Sequence, residues 1–195
     1  MKKLKHIFYS LLVFLPLTFL QPQASVVHQV VARWNSMQTF KANVSISTGN
    51  SQSLSGILSY DRGKMNLKIS GGRVVASTGS ELIVFDPSTG VAGKQELSPK
   101  GGGLGWILNG YRITSSGNTA HLEAETEKLV YSEVRLNWAD DYTLKQISMK
   151  SRDSQEWLTI KITNIIMVES FPSNIFSYKP PAGSRTVDNP LNQRN

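Results

Sequence analysis

His28 and His121 are the imidazoles beyond the N-terminal segment, which holds His6. Acid–base or nucleophilic chemistry needs such a ring beside a carboxylate and within reach of a nucleophile. Neither histidine has a patterned carboxylate next to it, and the two lie far apart in the chain. No HExxH, GxSxG or phosphate-cradling glycine loop is present. The glycine runs "GGRVV" and "KGGGLG" do not lie between a strand and a helix. Asp140-Asp141 reads as a solvated hairpin tip. The absence of cysteine excludes disulfides, thiolate metal sites, a thiol nucleophile and an N-terminal lipid on cysteine. These residues describe a protein that is not an enzyme and needs no metal or cofactor.

What remains is apolar surface, and the compartment frames its use. Residues 1–24 read as a signal peptide: Lys2, Lys3 and Lys5, then an apolar run from Ile7 to Leu20, then Ala24 and Ser25. Pro16 breaks the run, which is short against the ~20 residues of a spanning helix. Cleavage after Ala24 marks the protein for export, by a signal more bacterial than eukaryotic in form. It also removes three lysines and no acid, so the net charge falls from +7 to +4. The remaining charge is scattered, which argues against a nucleic-acid partner. The rest of the chain is long enough for one domain, 25–187, with 188–195 as a disordered tail.

The elements that position the apolar residues follow from periodicity. Val27, Val30, Val31, Trp34 and Met37 recur at three- and four-residue spacings, one helical stripe with Ser25 as its cap. The period then becomes two. Phe40, Ala42, Val44 and Ile46 alternate with polar residues; Leu54, Leu58 and Tyr60 follow; and after the Asp61–Gly63 turn come Met65, Leu67 and Ile69. "ELIVFD" (81–86) is apolar on both faces and reads as a central strand. Further strands are predicted at 111–115, 119–125, 130–138, 144–150 and 158–166. In them Leu136 and Trp138, Ile147 and Met149, and Leu158, Ile160 and Ile162 share one face. The fold class is therefore mainly β with α: about ten or eleven antiparallel strands that form a barrel or a strongly curved half-barrel, with an apolar concave face under an N-terminal helix. Leu58, Met65, Leu67, Leu136, Ile147, Met149, Ile160 and Ile162 face its concave side, with Asn66, Lys68, Arg135 and Lys161 outside.

Two segments break the rhythm. Leu104, Trp106, Ile107 and Leu108 sit among Gly101, Gly102, Gly103, Gly105 and Gly110. They read as a core plug or as a short lid free to swing over the barrel mouth. At the other end Ile175, Phe176 and Tyr178 run into Pro180-Pro181 and Gly183.

Together these motifs resemble the LolA family of periplasmic lipoprotein carriers. The resemblance spans Phe40-Lys41-Ala42, Gly56-Ile57-Leu58, Arg62-Gly63-Lys64-Met65 and, most specifically, Ile175-Phe176-Ser177-Tyr178-Lys179-Pro180-Pro181-Ala182-Gly183. Asn66 stands where the family carries an arginine, and Arg62 replaces its proline. The resemblance implies an open barrel with a lid, and a segment to Tyr178 that closes the sheet edge where Pro180-Pro181 ends pairing. It implies a cavity for acyl chains lined by Leu58, Tyr60, Met65, Leu67, Ile69, Leu136, Trp138, Ile147, Met149, Leu158, Ile160 and Ile162. It also implies a monomer that takes lipoprotein acyl chains or other lipids from an inner-membrane release complex to an outer-membrane acceptor. A glycolipid or polar-lipid carrier or sensor, and a packed module without ligand, are the alternatives.

Overall fold

The structure, a computed structural model, describes residues 23–49, 53–97, 108–153, 155–172 and 174–188. The proposed signal peptide, most of the glycine-rich lid and the expected tail beyond 188 lie outside them. Among the described residues one α-helix, α1 (Gln23–Ser36), precedes twelve strands. These are β1 (Thr39–Thr48), β2 (Leu54–Asp61), β3 (Lys64–Ile69), β4 (Val74–Ser77), β5 (Glu81–Asp86) and β6 (Val91–Glu96). Then follow β7 (Tyr111–Ser116), β8 (Thr119–Ala124), β9 (Tyr131–Trp138), β10 (Leu144–Ser151), β11 (Trp157–Met167) and β12 (Arg185–Asp188). Ser25 lies inside the helix, not at its cap, because the helix starts at Gln23.

All twelve strands form one sheet in the order β12-β6-β5-β4-β3-β2-β1-β11-β10-β9-β8-β7. The sheet does not close, so β12 and β7 are its edges. Hairpins explain most of this order. Arg62 and Gly63 both have positive φ, 47° and 89°, the two-residue turn whose twist matches the strands it joins. Gly56 allows close approach in β2: a Cβ there would meet the Lys68 carbonyl at 2.7 Å. The β1–β11 pair joins the two halves, with a bulge where Lys41 pairs Ile166 but Asn43 pairs Thr163. Asn164, with φ 51°, supplies the extra residue.

Three expectations change here. The sheet has twelve strands, because the short β4, β6 and β12 add to it while 174–178 is not a strand. β5 is not central; only β6 and β12 lie between it and the edge. Pairing also resumes after Pro180-Pro181, where β12 lies parallel to β6 with Arg185 opposite Val91. The prolines lie within the crossing segment and do not end the sheet.

That segment explains β5. After β11 the chain leaves the sheet and crosses its outer face as a strap, described at 168–172 and 174–184. Val168 donates its amide to the Thr39 carbonyl at 3.1 Å, and Asn66 Nδ2 donates to the Ile175 carbonyl at 2.7 Å. Phe176 is buried and meets Phe171 edge-on at 5.6 Å. Tyr178 lies 6.0 Å from Phe85. Strand β5 is apolar on both faces because its outer Phe85 lies under the strap while Leu82 and Val84 face the barrel interior.

Candidate functional site

The concave face is built by strand parity, since residues directly opposite in neighbouring strands share a face. Phe40 pairs Tyr60, Ala42 pairs Leu58, Leu58 pairs Leu67, and Ile147 pairs both Leu136 and Ile160. Helix α1 lies over this face. Val27, Val30, Val31, Trp34 and Met37 are buried against it, as the helical stripe requires. Trp34 meets Phe40 edge-on at 5.2 Å and Tyr60 at 5.9 Å, and Phe40 stacks on Tyr60 at 5.0 Å. Tyr111 on β7 closes the far wall. Burial pushes its phenol pKa up, and the neutral hydroxyl donates to the Tyr131 carbonyl at 3.0 Å.

The residues expected to line an acyl cavity are mostly brought together. Leu58, Leu136, Trp138, Met149 and Ile162 are buried in this one cluster, and Tyr60, Met65, Leu67, Ile147, Leu158 and Ile160 pack against it half-buried. Ile69 is half-buried but outside the cluster: it pairs with Gly56, which offers no side chain to join it to its neighbours. Leu108, the described residue of the four expected lid side chains, packs against the same cluster. Leu104, Trp106 and Ile107 lie outside the described residues.

Burial falls off along the sheet. Leu136 and Val134 are fully buried beneath the helix. On β4 to β6 the same face continues through Val75, Val84 and Gly93, which pair in turn from Leu67. There Val84 is 43% exposed. An open cavity of about 330 Å3 sits at this end, lined by Leu82, Val84, Asp86, Thr89, Val91, Gly93 and Gln95. These strands are short and their apolar residues few, so the sequence did not single them out as a wall. The doubly apolar pattern of β5 was the one signal.

The outer face corrects two expectations. Asn66 points outward but is 3% exposed, because the strap covers it and takes its hydrogen bond. Lys68, Arg135 and Lys161 are exposed there. His121 does have a carboxylate: its Nε2 lies 3.0 Å from Glu133 Oε2. Strand pairing of β8 with β9 makes this contact across twelve residues, which local sequence patterns do not register. Glu133 also meets Lys150 at 3.5 Å and Arg135 at 3.9 Å, so the group reads as a surface charge network. Among the described residues no group of three or more histidine and acidic side chains is placed to hold a metal, and no helix is long and apolar enough to cross a membrane.

No family model matches the chain, and no curated protein matches it. Solved structures do. An uncharacterized conserved protein from Thermus thermophilus aligns with a TM-score of 0.55 at 9% identity, over 85% of this chain and 98% of that one. A LolA superfamily protein from Nitrosomonas europaea aligns with a TM-score of 0.44 at 14% identity, over 79% and 96%. A putative outer membrane lipoprotein-sorting protein domain from Vibrio parahaemolyticus gives 0.48 at 7% identity, over 78% and 94%. At such identities the likeness is one of fold.

Proposed function

We propose that this chain, whose fold is LolA-like, is a periplasmic carrier that makes and breaks no bond. It shelters the acyl chains of lipoproteins against its concave face and delivers them toward the outer membrane. The observation that carries this reading is the half-covered apolar face. The face is covered where the α1 stripe joins one buried cluster with β1, β2 and β7–β11, and it is open at Leu82, Val84 and Val91, beside a cavity of about 330 Å3. Each methylene moved from water to such a wall contributes about 0.8 kcal/mol, so a few in contact give useful affinity. The closed helix supplies the opposing term, because a longer chain must displace Trp34 from Phe40 and Tyr60. Binding and release then compete within a single element.

The close fit of α1 supports a second reading, a packed interaction module without ligand. A third, the carrier of another amphiphile, shares the same face. Lipids extracted from the purified protein and identified by mass spectrometry separate them. A lipoprotein carrier also binds a fluorescent fatty acid in competition with lipopeptide. Absence of both bound lipid and probe binding leaves the packed module.

A further inference from the structure

The outer face of the sheet divides into three stretches. From Asn66 on β3 across to β6 the strap covers it. Over β7 to β10 most of its charges are matched, Arg112 with Glu123 and Glu133 with Lys150 and Arg135. Between them, on β11, β1, β2 and β3, stand Lys41, Lys68 and Lys161. All three are exposed, and none is in an ion pair among the described residues. Two isoleucines project among these cations: Ile57 is 49% exposed and Ile166 is 61% exposed.

The register places them together. Ile57 pairs Lys68 on one side and Asn43 on the other, and Ile166 pairs Lys41. Neighbouring strands lie about 4.8 Å apart, so the patch spans about 14 Å from β3 to β11. An open depression of about 410 Å3 lies between the isoleucines, lined in part by Lys41, Asn43 and Asn164. The bulge at Asn164 is what turns Ile166 outward. Counting by twos from Ile160 and Ile162 would place residue 166 inside, but the extra residue instead sends Ile165 to the core.

We propose that this face docks on an anionic phospholipid surface, the three lysines meeting the headgroups and Ile57 and Ile166 entering the interface. This goes beyond the acyl-carrying reading and does not depend on it. The choice of a bilayer over an acidic protein rests on area and charge together. Two isoleucines supply far less than the ~800 Å2 per partner of a stable protein interface. A membrane needs no matching relief, and there shallow apolar insertion adds to electrostatic attraction.

The test uses the protein purified after expression of its full sequence. Flotation is measured with phosphatidylcholine vesicles, with and without phosphatidylglycerol. The expected result is binding only where phosphatidylglycerol is present, weakened by salt. Lys41→Gln, Lys68→Gln and Lys161→Gln together should lower it about 100-fold, at about 1 kcal/mol for each lysine near the surface. The chain has no cysteine, so Ile57→Cys accepts one environment-sensitive dye, whose emission should shift to the blue on those vesicles. Absence of flotation, flotation unchanged in the triple variant, or flotation with an unshifted dye would each overturn the proposal. So would a dye shift with polyglutamate at lower concentration than with vesicles, which assigns the face to an acidic protein. The triple variant should still bind fluorescent fatty acid to the same extent if the concave face carries lipid, so failure of either reading is visible without the other.

Discussion

Asn66 shows how one side chain can change meaning between sequence and structure. Its amide is buried and donates to the Ile175 carbonyl, so it fastens the strap to the outside of the sheet. Asn66→Ala should leave that carbonyl without its partner and cost about 1–3 kcal/mol. The check is the midpoint of urea unfolding; an unchanged midpoint would show that the strap holds without this bond. Asp86 is a second such point, at the β5–β6 turn. The Ser88 hydroxyl at 2.6 Å, then the Ser88 amide at 2.9 Å and Arg73 at 3.0 Å, hold its carboxyl below the usual carboxylate range. The sign follows from this depression. The contribution of these bonds is present above the ordinary carboxylate pKa and is lost as pH falls through the lowered one. Ser88→Ala removes the largest cause, so an NMR titration should find Asp86 protonating at higher pH than in the parent. No movement would assign the depression elsewhere.

Among the elements, the strap and β12 have most at stake. Phe176 is 5% exposed between Phe171 and the sheet. Phe176→Ala should cost about 3–5 kcal/mol, as for other buried phenylalanines, and should expose Phe85 to solvent. Thermal melts measure the first effect, and hydrogen exchange on β5 locates the second. Ending the chain before Arg185 removes β12 and leaves the edge of β6 with unpaired backbone groups. Such edges recruit other strands, so sedimentation of the truncated protein should show more self-association than the full chain does. A truncated protein that sediments as the full chain does would mean that β12 is not the edge guard. Alternation made most of this layer legible. The helix stripe from Val27 to Met37 and the strands β1, β3, β9, β10 and β11 have one buried face and an unambiguous period. β4 and β6 were missed because "VVAS" and "VAGKQE" are too short or too mixed to show one. The strap imitated a strand because Ile175, Phe176 and Tyr178 have suitable types. Their burial comes instead from lying across other strands, which no local period encodes.

For the whole molecule, the sheet has two differently used faces. The inner face carries apolar surface from a sealed core to an open mouth, and the outer face divides into strap, matched charge and bare cations. The sequence contained the inner face nearly complete, since Leu58, Leu136, Met149 and Ile162 follow directly from parity. It did not contain the mouth, because Val75, Leu82 and Val84 join that face only through a register set by three successive hairpins. The central claim is that acyl chains lie at this mouth. Titration of a fluorescent fatty acid into the parent protein and into Val84→Asp tests it most directly. Val84 is exposed enough that the aspartate should leave the melting temperature nearly unchanged. A charge in the apolar wall should still lower probe affinity tenfold or more, on the order of the cost of desolvating a carboxylate beside a bound chain. Equal affinity in the two proteins, with binding demonstrated in both, would contradict the account.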